Sequence, residues 1–172
     1  EGNNGGTAGT NQIVFKDLNF NDNDTTGSSS IMAFNLGTFA RCYITGCHFG
    51  MRIGYAASYI QSIYISNCIA RGFTGSAIEA ITDLYDVSVT NCMFEKVAGY
   101  IVSAGANASS FRFTDNLVQN NNSCINIVGF AQSVTISDNY VEANEHKFVG
   151  IGTANGVSIN NNFIQTRVGP PN

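Results

Sequence analysis

Charge is scarce in this chain, basic charge above all. Lys and Arg number 8 in 172 residues, and charged side chains make up 12%, about half the usual share. With a net charge of −4, no basic stripe exists to neutralise phosphates, which argues against a nucleic-acid partner. No apolar run approaches the roughly 20 residues of a membrane-spanning helix, so membrane insertion is not expected. No signal peptide is visible. The chain starts at Glu1 rather than Met, which reads as a piece processed or cut from something longer. Leucine is limited to Leu18, Leu36, Leu84 and Leu117. That is too few for a leucine-rich repeat, whose every unit needs a Leu framework. The two His residues, His48 and His146, have no nucleophile and orienting group at a recognisable spacing, so a catalytic triad is not supported.

What the chain has instead is self-similarity. The stretch Val87 to Phe94 (VSVTNCMF) returns upstream at Ile13 (IVFKDLNF), Cys42 (CYITGCHF) and Ile63 (IYISNCIA), and downstream at Phe111 (FRFTDNLV), Val134 (VTISDNYV) and Val157 (VSINNNFI). The starts at 13, 42, 63, 87, 111, 134 and 157 give steps of 29, 21, 24, 24, 23 and 23 residues. A fixed period in this range marks a stacked repeat architecture. Positions one and three of each unit are apolar and their neighbours mostly polar, the alternation of a strand with one buried face. Each unit then turns at Asp17, Gly46, Asn67, Asn91, Asp115, Asp138 or Asn161, residue types that tolerate left-handed backbone.

A second, weaker alternation follows in each unit at Ile31 and Ala33, Ile53 and Tyr55, Ile78 and Ala80, Ile101 and Ser103, Ile125 and Ile127, and Val149 and Ile151. Two or three short strands in about 23 residues leave no room for a helix. A β-sandwich would show turn signals every 8–12 residues and hairpins rather than one register repeated. The sequence therefore predicts an all-β fold, a right-handed single-stranded parallel β-helix (β-solenoid) of about seven coils. The hand follows from the near-universal right-handedness of parallel crossovers. The expected organisation is a flexible lead-in at 1–12, the β-helix at 13–168, and a terminating segment at 169–172, where Pro170 and Pro171 cannot donate to a further ladder. No capping helix is evident at either end. Flanking domains are expected to lie outside this chain or to come from partners.

Stacking turns sequence spacing into vertical columns, with rungs about 4.8 Å apart. Cys47, Cys68 and Cys92 share a column with Asn116, Asn139 and Asn162. The Cβ vectors of stacked cysteines run side by side, which suits a disulfide poorly, so free thiols are predicted. An outward column reads Val14, Tyr43, Tyr64, Ser88, Arg112, Thr135, Ser158. Its Tyr43, Tyr64 and Arg112 can stack on sugar rings or sit in a subunit interface. The column after each unit reads Asn21, Gly50, Arg71, Glu95, Gln119, Glu142, Gln165. Glu95 and Glu142 are two rungs apart, about 9.6 Å. An inverting glycosidase holds its acid and base about 6.5–9.5 Å apart, with room for a water. Arg71 beside Glu95 favours the ionised base, and Gln119 between the two can bind a sugar hydroxyl.

A second candidate acid group is Glu79, Asp83 and Asp86. Here Glu79 faces outward between Gly54 and Val102, and the two Asp lie in the following loop. The polar segment Asn21 to Ser30 is expected to loop out of the stack. Its Asp22 and Asp24 lack the further ligands a calcium loop needs. No metal and no cofactor is expected.

The units VTISDNYVEAN, VSINNNFIQT and VSVTNCMFEKV resemble coils of the pectin-lyase-like right-handed β-helix superfamily. The column Asn116, Asn139, Asn162 resembles its asparagine ladder. Within that superfamily, the polar, Asn-rich coils are most similar to bacteriophage tailspike and tail-fibre depolymerases. The resemblance implies a homotrimer on the virion, extracellular, that binds bacterial surface polysaccharide. It also implies cleavage of that polysaccharide by carboxylates, as a glycoside hydrolase in preference to a lyase. The polygalacturonase motifs (an Asp-Asp dyad, His-Gly-x-His, Arg-x-Lys) and the paired Arg of pectate lyases are absent. The alternative is a non-catalytic β-helical stem or receptor-binding domain of a tail fibre or adhesin.

Overall fold

The computed structural model describes residues 12–20, 41–49, 54–56, 59–72 and 75–166. The polar segment 21–30 with Asp22 and Asp24, the expected strand positions Ile31, Ala33 and Ile53, and the terminating residues 169–172 lie outside these. Of the lead-in at 1–12, only Gln12 is described, as the first residue of a strand. Seventeen strands and no helix occur among the described residues. None of their helices, accordingly, is long and apolar enough to cross a membrane.

Every strand pairing is parallel, and three walls result. The first wall stacks Gln12–Lys16, Arg41–Thr45, Tyr59–Ser66, Asp83–Thr90 and Ala108–Thr114, then the second halves of Ser123–Ser137 and Val149–Asn160. The second is a seven-stranded sheet running from Asn19–Phe20 to Phe163–Thr166. The third stacks Gly54–Ala56, Ile78–Ala80 and Tyr100–Ala104, then the first halves of the same two long strands. Third-wall strands number five, so five coils have all three walls described, rather than the expected seven.

The predicted register of the first wall holds rung by rung: Ile13 pairs with Cys42, Cys42 with Ile63, Ile63 with Val87, and Val87 with Phe111. Inward side chains fill the bore. Ile44, Val89, Phe111, Phe113, Phe94 and Ile125 are fully buried, each contributing about 1.5–3 kcal/mol of apolar burial. All seven turn residues named from sequence have left-handed φ, from 50° at Asn91 to 67° at Gly46. Asn, Asp and Gly occupy them because a Cβ meets the following carbonyl in this conformation unless the residue is Gly, and short polar side chains offset the cost locally.

The interior column also holds. The Asn139 side-chain oxygen accepts from the Asn116 backbone N–H at 3.0 Å, and its amide donates to Phe113 O at 2.9 Å and to Asn162 Oδ1 at 2.8 Å. Lower down, Cys92 Sγ takes the acceptor role for the Cys68 N–H at 3.4 Å. All five cysteines are free and buried. Burial pushes the Cys42 and Cys124 thiols up to about 12, because the low-dielectric bore disfavours a thiolate.

The third wall departs from the sequence reading. Ile78 aligns with Gly54 and Val102, and Ala80 with Ala56 and Ala104, so the third-wall register differs by one residue from the expected pairs Ile53/Tyr55 and Ile101/Ser103; Val102 and Ala104 are fully buried. Ile101 and Val102 are both fully buried, so alternation alone does not choose between them. In the last two coils the third and first walls are not separate strands. Ser123–Ser137 and Val149–Asn160 run through the corner, with a register shift between Ile127 and Phe130 taking the place of a turn.

Candidate functional site

The first wall begins at a corner built like the turn that ends it. Ser62, Asp86, Ser110, Ser133 and Gly156, each immediately before a repeat start, have φ of 54°, 50°, 54°, 52° and 70°. The small or polar character of this column is what its left-handed backbone requires. The bend sets this corner column beside the outward column of the wall, and a groove of about 550 Å³ lies between them. One side of the groove is Asp86, Ser110, Ser133 and Gly156. The other is Ser88, Arg112, Thr135 and Ser158, with Tyr64 at the lower end.

The structure thus brings together three residues singled out from sequence in two separate groups: Tyr64, Asp86 and Arg112. Asp86 is not in a loop; it lies with Asp83 in the strand Asp83–Thr90. Its Oδ2 accepts hydrogen bonds from the Tyr64 hydroxyl and, at 3.3 Å, from Ser62 Oγ. Tyr64 in turn stacks on Tyr43, with ring centroids 5.0 Å apart and planes 19° apart. That is the offset-parallel range in which aromatic pairs attract. Tyr64 and Arg112 share a column, with Ser88 in the rung between them. Arg112 is exposed and has no ion pair among the described residues.

The expected acid group does not converge. Glu79 sits in Ile78–Ala80 with Tyr55 and Ser103 as rung neighbours, not Gly54 and Val102, because the third wall is shifted by one residue from the sequence reading. Asp83 turns to the corner, where its Oδ1 accepts from the Asn107 N–H at 3.0 Å and from Asn107 Nδ2 at 2.9 Å. Asn107 Oδ1 then accepts the Phe130 N–H at 3.0 Å in the coil above. Asp83 therefore anchors a structural relay between coils, whereas Asp86 faces the groove.

In the other predicted column Asn21 and Gly50 lie outside the described residues, and Arg71, Glu95, Gln119, Glu142 and Gln165 are successive rung partners in the second wall, as expected. Arg71 Nε lies 3.0 Å from Glu95 Oε2. Gln119 Nε2 donates to Glu142 Oε2 at 3.2 Å. Glu95 and Glu142 are half-buried, two rungs apart on one face, and Gln119 is tied to the upper acid. Sequence reasoning missed Ser110 and Ser133, although their place just before each repeat start was a readable signal. Among the described residues, no three His, Cys, Asp or Glu side chains stand where they can hold a metal ion.

A family model described as a right-handed beta helix region matches residues 6–164. The chain belongs to the right-handed β-helix family. The hand expected from crossover geometry is that of the family, and the parallel β-helix superfamily named from the Asn ladder and the repeat units is supported. No curated protein and no solved structure matches this β-helix.

Proposed function

We propose that this β-helix binds bacterial surface polysaccharide, as the glycan-recognising domain of a phage tailspike-like protein: extracellular, virion-associated and homotrimeric. The observation that carries the reading is the groove of the first wall. It runs along the stacking axis and is lined by hydroxyls, with an aromatic residue, Tyr64, one carboxylate, Asp86, and one guanidinium, Arg112. Hydroxyls both donate and accept, which is what a sugar chain of unknown linkage needs from its wall. A shape extended along the axis suits a polymer better than a small metabolite. The likeness of the repeat units to tailspike coils supports the same reading. Binding of the purified chain to an array of bacterial surface glycans tests it. Failure to bind any of them would discard it.

A second reading adds cleavage, and the Glu95–Gln119–Glu142 column favours it. The backbones of the two acids stand two rungs, about 9.6 Å, apart with Gln119 in the rung between, near the spacing at which one carboxyl protonates a leaving oxygen and the other activates a water. In this reading Glu95, beside Arg71, is the base and Glu142 the acid. Reducing ends released from the bound glycan, and lost in Glu95→Gln and Glu142→Gln, are the expected result. Binding without product assigns the domain to the non-catalytic stem or receptor-binding class.

A further inference from the structure

We infer that the outer face of the second wall is where copies of this chain pack side by side, in parallel and level for level, about an axis along the stack. This rests on the homotrimeric part of the reading above and names the surface that builds it.

The second-wall strands turn their middle residues into the bore and their first residues outward. Successive rung partners in that outward position are Ile69, Met93, Leu117, Tyr140 and Phe163. These apolar side chains form one stripe, roughly 19 Å long at about 4.8 Å per rung. The lower three are half-buried, Tyr140 is 43% exposed and Phe163 54%. Tyr140 and Phe163 stack with ring centroids 4.9 Å apart. At the heights of Met93 to Phe163 the first wall instead shows Ser88, Arg112, Thr135 and Ser158 outward. A continuous apolar stripe with polar rims has the anatomy of a protein–protein contact. One rim is the exposed turn column from Asn67 to Asn161, and the other is the strand-end column from Arg71 to Gln165. The rims favour a second copy as the occupant. Rotation about an axis along the stack preserves height, so the stripe meets itself rung for rung, and the turn rim of one copy faces the strand-end rim of the next. Asn67 then meets Arg71, Asn91 meets Glu95, Asp115 meets Gln119 and Asn161 meets Gln165, a donor and an acceptor at each level. Only Asp138 with Glu142 sets like charges together. An inverted copy that engages all five rungs sets Glu95 against Glu142 and Asp115 against itself. Slid by one rung, it avoids these contacts but leaves Phe163, the most exposed of the stripe, uncovered. The seam covers the Glu95–Glu142 column and leaves the first-wall groove open, so it agrees with glycan binding and competes with cleavage.

Sedimentation velocity of the purified chain from about 1 to 100 μM tests it. Oligomers should form. Leu117→Glu and Tyr140→Glu should each weaken association at least about tenfold, while Thr90→Glu, outward on the first wall, should not. Thermal melts check that each variant folds. Asp138→Asn should tighten association because it removes the one like-charge level, and unchanged or weaker association in that variant overturns the register. Orientation is read by oxidative cross-linking. Phe163→Cys should link to itself, and a mixture of Ile69→Cys and Phe163→Cys chains should link only like to like. Links between the two different variants mean an inverted copy and overturn the inference. Association of parental strength in both Glu variants places the contact on another face, which overturns the inference and leaves the homotrimeric reading standing. A chain that stays monomeric at the highest concentration removes both, with glycan binding untouched.

Discussion

Replacing Asn139 by Ala should be among the most damaging single changes in the bore. Asn139 is fully buried. Its oxygen is the acceptor of the Asn116 backbone N–H at 3.0 Å and of Asn116 Nδ2 at 3.1 Å, and its amide donates to Phe113 O and to Asn162 Oδ1. The substitution strands the Asn116 N–H, at about 1–3 kcal/mol for a buried unsatisfied donor, and removes three further bonds of about 1 kcal/mol each, of which Asn116 Nδ2 keeps its alternative partner Val89 O. The sum is about 3–5 kcal/mol. The molecule also supplies a graded control. Cys92 occupies the same column and its sulfur accepts the Cys68 N–H at 3.4 Å, so Asn139→Cys retains a weak acceptor and should cost about half as much. Equilibrium urea unfolding measures both. At a slope of about 1–3 kcal/mol per molar, the Ala variant should move the midpoint down by more than about 1 M, and the Cys variant should lie between it and the parent. The reasoning fails if Ala changes stability by less than about 0.5 kcal/mol, or if Cys costs as much as Ala.

Two other outcomes follow from the bore and the corners. The Cys42 and Cys124 thiols are raised from 9.0 to about 12 by burial, so the fold favours their protonated forms. Their contribution is therefore complete below pH 9 and falls as pH rises from there towards 12. Melting temperatures across that interval should drop less for Cys124→Ala than for the parent, and parallel curves would contradict the assignment. At Gly105 an added Cβ would lie 1.9 Å from Ile81 O, whereas at Gly72 (φ 77°) nothing stands within 4 Å. Gly105→Ala should thus cost about 3 kcal/mol through displaced backbone, and Gly72→Ala only about 1–2 kcal/mol of left-handed strain; equal melts would refute the steric argument.

The first and second walls were readable because their inward positions are large and β-branched or aromatic, such as Val87, Val89 and Phe94, and their turns are marked by Asn, Asp and Gly. Period-two alternation then has one solution. The third wall lacked that contrast. Its buried positions include the small Ala80 and Ala104, and the adjacent Ile101 and Val102 are both buried. A one-residue slip was therefore invisible in the pattern, and it displaced the expected neighbours of Glu79. The groove was half legible. Tyr64 and Arg112 emerged from their shared column, but Asp86 was grouped with its sequence neighbours Glu79 and Asp83. Its hydrogen bond to Tyr64 spans 22 residues, and only a bend at Asp86 itself, through its left-handed φ, turns that carboxylate towards the preceding coil.

The asparagine column gives the molecule a direction. Side-chain oxygens of Asn116, Asn139 and Asn162 each point to a donor in the coil below, and the Asn116 and Asn139 amides donate to the coil above. Parallel β-sheet contributes little net dipole of its own, whereas these amides queue head to tail, as peptide groups do in a helix, and each polarises the next. The lower pole is accordingly the electronegative one and the upper pole the electropositive one, so a carbonyl suits the upper face of the pile and an N–H the lower.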